Sequence, residues 1–249
     1  SPPARTCRCS PEPRLRSRLA DIALVQMATI LAPDYRQAGT GQAHSDLNTL
    51  SLYADMTFDS FDLRQTELER EHSDNLRRAM EIAHAFVTAT SGWLTLTGPF
   101  GCGKTHLAAA IANERARLGH TALFIVVPDL LDHLRAAFSP QSTVPYDKRF
   151  DEVRRAPFLV LDDLGTESAT PWAQEKIYQL FNYRYVSRLP TVITTAKPIE
   201  ALDAKLRTRM LDITRSTIFG ITAPSYLGGA AKVKPKTSRP RRATGGGKS

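Results

Sequence analysis

The densest chemistry in the chain sits in eight residues, Gly98-Pro99-Phe100-Gly101-Cys102-Gly103-Lys104-Thr105. Their spacing, G-x-x-x-x-G-K-T, is that of a loop that cradles the phosphates of a nucleoside triphosphate. The glycines let successive backbone N–H groups curl around an anion, and a following helix adds partial positive charge from its N-terminus. Lys104 is expected to reach the β- and γ-phosphates and Thr105 to hold Mg2+, and the nucleotide-binding stretch is expected to run on to His106. A second cluster, Phe158-Leu159-Val160-Leu161-Asp162-Asp163, is four apolar residues followed by two carboxylates. A buried strand that delivers an acid at its end is how such sites place a magnesium ligand. Asp162 is the expected Mg2+ partner, through water, and Asp163 the base or orienter of an attacking water. Loose phosphoryl-transfer transition states respond to positioning and charge neutralisation, and a further arginine adds about 10³–10⁵ in rate. Its candidates are Arg207 and Arg209, at the end of an expected helix; two residues apart, they face different sides.

These groups need elements to hold them. Trp93–Thr97 reads as a strand and 104–118 as a helix, so the glycine loop has a strand before it and a helix after it. Further apolar runs at 121–127, 158–162, 191–195 and 217–221 alternate with helical patterns near 129–138, 146–155, 172–188 and 199–211. Strands alternating with helices imply parallel pairing with helices on both faces, and near-continuous Ile, Val and Leu fits strands buried on both sides. Ligands then bind beyond the carboxyl ends of the strands, where the glycine loop lies. Upstream, residues 67–90 form a long helix with Leu68, Leu76, Ala79, Met80, Ala83 and Val87 on one side. Phe58 and Phe61, three apart, could clamp a domain edge or an adenine ring, and packing is the expected role. Residues 14–32 place Leu15, Leu19, Ile22, Gln26 and Ile30 near helical spacing, an amphipathic arm, and 33–51 read as a linker.

Of the net charge of +8, the first 19 residues carry +4 and the last 19 carry +7, so the stretch between them stands at −3. Basic ends of this kind touch nucleic acid or solubilise the chain. The three cysteines, Cys7, Cys9 and Cys102, do not make an even disulfide framework. Cys7-x-Cys9 supplies two of the four ligands a structural zinc needs. No run approaches the ~20 apolar residues of a membrane span, and no charged-then-apolar leader is visible, so a cytoplasmic protein is expected. The first residue is Ser, as in a truncated or processed piece.

The stretches GPFGCGKTHL (98–107), LVLDDLG (159–165), PTVITT (190–195) and Arg209-Met210 resemble the DnaC/IstB group of AAA+ ATPases, across roughly residues 57–228. The resemblance implies a P-loop AAA+ three-layer α/β sandwich with a five-stranded parallel sheet in the order 5-1-4-3-2 and a much reduced lid. It also implies ATP and Mg2+ binding, self-assembly into rings or spirals, and contact with single-stranded DNA. On this resemblance the loop 98–106 holds the nucleotide, Thr105 and Asp162 the metal, and Asp163 serves catalysis. Arg209 becomes the arginine finger, acting on ATP held by the next subunit. The expected layout is an arm and linker over 1–51, an ATPase domain over 52–230 and a basic tail over 231–249. Two positions depart from the group: Ala196 stands where Asn usually follows the two hydroxyl residues, and Leu227 where an arginine senses the γ-phosphate. Thr195 is the expected substitute for the first. Slow, switch-like hydrolysis follows. Three functions fit: loading a replicative helicase onto single-stranded DNA, IstB-like assistance of a transposase, and a scaffold that holds nucleotide without turnover.

Overall fold

The computed structural model describes residues 46–137, 145–166 and 170–226. Cys7, Cys9, the expected 14–32 helix, Leu227 and the tail 231–249 lie outside the described residues. In chain order the elements are α1 (Arg70–Phe86), β1 (Trp93–Thr97), α2 (Lys104–Arg117), β2 (Leu123–Val126), α3 (Val127–Ala136), α4 (Tyr146–Arg155), β3 (Leu159–Asp162), α5 (Pro171–Val186), β4 (Thr191–Thr195), α6 (Ala204–Met210) and β5 (Ser216–Gly220). Short 3₁₀ turns stand at Leu50–Tyr53 and Ile199–Ala201. The last expected helix is therefore shorter, because Asp203 caps a fresh start by accepting the N–H groups of Lys205 and Leu206.

All strand pairs are parallel and the order is β2-β3-β4-β1-β5, the expected order read from the other edge. Strand residues alternate between two cores. Trp93, Leu159, Leu161 and Ile193 face one side with α3, α4, α5 and α6, whereas Leu94, Leu96, Val160 and Val192 face the other with α1 and α2. That alternation makes three layers. Helix α2 is rich in alanine, the best helix former, and its small residues Ala108, Ala109 and Ala112 bring it close onto the sheet. Leu47 is wholly buried, so the body reaches back before residue 52.

Two asparagines finish the sheet edges. At β2, the Asn48 amide donates to the Ala122 carbonyl and accepts the Phe124 N–H. Beyond β5, Asn75 donates to the Gly220 carbonyl and accepts the Thr222 N–H. Each amide takes the place of a neighbouring peptide group at an edge that would otherwise invite pairing with another chain. Arg184 fixes the other end of the strands. Wholly buried, it donates to the carbonyls of Arg154, Ala156 and Pro190 and to the Thr191 hydroxyl, tying the entries of β3 and β4 together.

Candidate functional site

Strand β1 ends at Thr97 and the glycine loop carries the chain over the carboxyl edge of the sheet into α2. Lys104, the first residue of α2, is 6% exposed. Its Nζ donates to the carbonyls of Gly98 (2.9 Å) and Pro99 (2.8 Å), inside the loop's own curl. Phe100, at the loop tip, is exposed, and its ring lies 5.8 Å from that ammonium.

Next to it, β3 and β4 run in register with Leu161 opposite Ile193. The following pair, Asp162 and Thr194, therefore shares one face at the strand ends. Thr105 Oγ1 lies 3.1 Å from both oxygens of Asp162, and Thr194 Oγ1 donates to Asp162 Oδ1 at 2.6 Å. Asp162 is 4% exposed. Burial raises its pKa, opposed by the hydrogen bonds from Thr194 and Thr105, while the Asp163 charge pushes the same way as burial and Lys104 against it.

Asp163 follows in the left-handed region, φ 62°, which Asp tolerates better than most side chains. Its N–H donates to Thr194 Oγ1 at 2.9 Å, and the Leu164 N–H to the Thr194 carbonyl at 2.9 Å. Thr194 thus touches both acids, accepting from the backbone of one and donating to the side chain of the other. Thr195 is turned away. It is wholly buried, donates to the Leu164 carbonyl at 2.7 Å and accepts the Lys197 N–H at 3.1 Å, so its hydroxyl is committed to the turn.

His106 also faces elsewhere. Its Nε2 lies 2.9 Å from the Thr57 carbonyl and 3.3 Å from Ser60 Oγ, and Phe61 meets its ring edge-on. Phe61 in turn covers Gly103, with Cε2 2.9 Å from where a Cβ would project. The segment 57–61 is thereby packed on the start of α2. Arg209, in α6, packs against α5: it donates to Asn182 Oδ1 (2.6 Å), the Tyr178 hydroxyl (3.3 Å) and the Lys205 carbonyl (2.8 Å), with its guanidinium over the Tyr178 ring. Arg207 donates to the Glu200 carbonyl.

The structure therefore gathers Lys104, Thr105, Asp162 and Asp163, and adds Thr194, which the sequence reading passed over in favour of its neighbour. The signal was available, since a parallel register one residue longer than the apolar run places Thr194 beside Asp162. Among the described residues no cluster of three or more His, Cys, Asp or Glu could hold a metal alone. A single carboxylate with a hydroxyl is instead a hard-oxygen pair suited to Mg2+ that shares its remaining coordination with phosphates and water. The same donors suit a triphosphate: a lysine, a glycine loop and a helix N-terminus.

A family model described as IstB-like ATP binding protein matches residues 25–224. The replicative helicase loader DnaI of Bacillus subtilis (strain 168) is 33% identical over 103 residues, 41% of this chain and 32% of that protein. The insertion sequence IS1162 putative ATP-binding protein of Pseudomonas fluorescens is 32% identical over 105 residues, 42% of this chain and 44% of that one. Both matches thus span less than half of the relative. A crystal structure of DnaI superposes with a TM-score of 0.55 at 27% identity, covering 70% of this chain and 92% of that one. The glycine loop above the acid-ended strand, the sheet order and the match across the body agree: the chain belongs to the IstB-like ATP-binding proteins, within the DnaC/IstB group of P-loop AAA+ ATPases.

Proposed function

We propose that the protein is an ATP-driven switch that loads a replicative helicase onto single-stranded DNA and hydrolyses ATP slowly. The observation that carries the ATPase half is the hydroxyl bridge at the strand ends, Thr105 to Asp162 to Thr194 to the Asp163 backbone. In this reading Lys104 exchanges two neutral carbonyls for anionic phosphate oxygens. Thr105 and Asp162 would hold Mg2+, which would neutralise charge on the phosphates. Asp163 orients the attacking water and receives its proton, and Thr194 positions the two acids through its bonds to the Asp162 side chain and the Asp163 N–H. Arg209 serves the ATP of a neighbouring subunit once it leaves Asn182, so turnover depends on assembly into a ring or spiral. Ala196 leaves the attacking water one partner short and supports turnover no faster than about 1 s⁻¹, the low end of ordinary enzymes.

The relation to DnaI supports the loader reading, with residues 1–45, ahead of the buried Leu47, as the arm that holds the helicase. Pull-down of the host's replicative helicase, with and without ATP, tests it. Capture that depends on ATP and disappears on deleting residues 1–45, which stops short of the buried Leu47 and of Asn48 at the β2 edge, while ATP binding survives, is the expected result. Capture by the deleted chain refutes it. The family model and the insertion-sequence relative favour a second reading, a transposition helper that stimulates a transposase on duplex DNA. A salt titration separates the two, because only the loader prefers single strands.

A further inference from the structure

The segment that follows β5 crosses back over the phosphate loop. The Ile221 N–H continues the ladder to the Thr97 carbonyl at 2.7 Å, and the Ile221 carbonyl occupies the space a Cβ on Gly98 would need. Ser225 fills the corresponding space at Gly101, whose φ is +72°. The Tyr226 N–H donates to the Gly101 carbonyl at 2.8 Å. Three fixings hold this strap in place. Asn75 brackets it with the two hydrogen bonds described above, and His72 Nδ1 lies 3.1 Å from Thr222 Oγ1. The third is Arg64, 4% exposed and at φ 51°, which donates to the Pro224 carbonyl at 2.8 Å and to Glu67 at 3.2 Å, its guanidinium 5.5 Å from the Tyr226 ring centre.

Burying a guanidinium is unfavourable unless its donors are used, so a chain that places one here is holding something in position. In a trans peptide the C=O and the next N–H point in opposite directions. Drawing the Gly101 carbonyl outward to Tyr226 therefore turns the Cys102 N–H inward, into the hollow of the loop. That N–H is among the donors the loop offers to phosphate.

We propose that the strap 221–226 presets the phosphate loop for triphosphate, and that Arg64 is a positioning residue acting through it. The inference rests on the reading of the loop as the ATP site. Its test measures dissociation constants of ATP and of inorganic tripolyphosphate for the full chain, for Tyr226→Pro, which deletes the one N–H, and for Arg64→Met, which releases the Pro224 carbonyl. Both ligands should weaken about three- to tenfold in each variant, the range of one hydrogen bond. They should weaken in the same proportion, because the loop meets phosphate and not base. The double variant should be little worse than the poorer single one, since both changes act through one contact. Thermal melts establish that each variant is folded, and Arg64→Met alone decides if Tyr226→Pro is not. Unchanged affinities, fully additive losses, or a loss seen with ATP but not with tripolyphosphate overturn the inference. Lys104→Ala marks the underlying reading separately: if it binds ATP as the parent does, the loop is not the site at all.

Discussion

Thr194→Val tests the hydroxyl bridge most directly. Valine matches threonine in shape, so the change removes one oxygen and leaves the packing. Two hydrogen bonds disappear: the 2.6 Å donation to Asp162 Oδ1 and the 2.9 Å acceptance from the Asp163 N–H. A bond to a charged group is worth about 1.5–3 kcal/mol, and an orphaned, partly buried N–H adds about 1 kcal/mol. The sum is about 3 kcal/mol, which for a domain of this size lowers the melting midpoint by about 6–12 °C. The loss has a pH signature. Burial already raises the folded-state pKa of Asp162 above its unfolded value. Between those two values the folded chain binds more protons than the unfolded one, so stability falls as pH rises. Removing a donor that stabilises the carboxylate raises the folded-state pKa further. The deficit of Thr194→Val should therefore be larger at pH 8 than at pH 5. Turnover should fall about 10²-fold, the effect of a catalytic group displaced by about an ångström. Differential scanning calorimetry at the two pH values and a steady-state phosphate-release assay read both effects. A parallel Thr195→Val variant, which loses only the bonds to Leu164 and Lys197, should melt lower yet keep most of its turnover. Equal loss of turnover in the two variants, or a Thr194→Val deficit that shrinks toward pH 8, refutes the assignment.

Asp162→Asn should raise the melting midpoint at pH 8 by about 2–4 °C, or about 1 kcal/mol, by removing a buried ionised group, and should abolish stabilisation by MgATP; calorimetry with and without the ligand checks both. Arg184→Met should destabilise by about 3 kcal/mol or more, because two buried carbonyls, a part-buried one and a hydroxyl lose a donor together, at about 1–3 kcal/mol for each group left unsatisfied. Burial brings the Arg184 pKa down to about 9, so it is still charged at pH 7, and denaturant titration there reads the full loss. Arg209→Ala and Lys104→Ala should each be inactive alone, yet recover turnover when mixed, since one contributes an intact site and the other an intact arginine; mixtures no more active than their parts would remove Arg209 from catalysis.

Most of the architecture was legible because its signals are local. Gly98 to Thr105 fixes a strand–loop–helix, and runs such as Leu159 to Leu161 cannot sit in solvent, so the parallel sheet and the placement of Asp162 follow from pattern alone. What escaped depends on register and on chain crossings. Thr194 and Thr195 are chemically identical, and only pairing with β3 decides which one meets Asp162. Asn48, Arg64 and Asn75 read as ordinary polar residues, yet each bonds backbone more than 70 positions away. His106 and Arg209 illustrate the converse. Both lie at motif positions, but their side chains are drawn to nearer partners, Thr57 and Asn182, as expected when a flexible donor finds an acceptor on a packed neighbour.

On the proposed reading of the site, its electrostatics would couple triphosphate binding to folding. Lys104 and Asp162 are both almost wholly buried, and both lean on neutral groups: two carbonyls for the ammonium, two threonine hydroxyls for the carboxylate. Neutral partners return only part of the hydration a buried charge gives up. Phosphate oxygens and a divalent cation are stronger partners for the same two groups, at the same strand ends, without any rearrangement of the sheet. If the triphosphate and its cation bind there as proposed, two unfavourable burials would be relieved at once and would add to the binding free energy. Fully ion-paired residues at these positions would make a more stable chain and a weaker switch, since little would change when the triphosphate arrived.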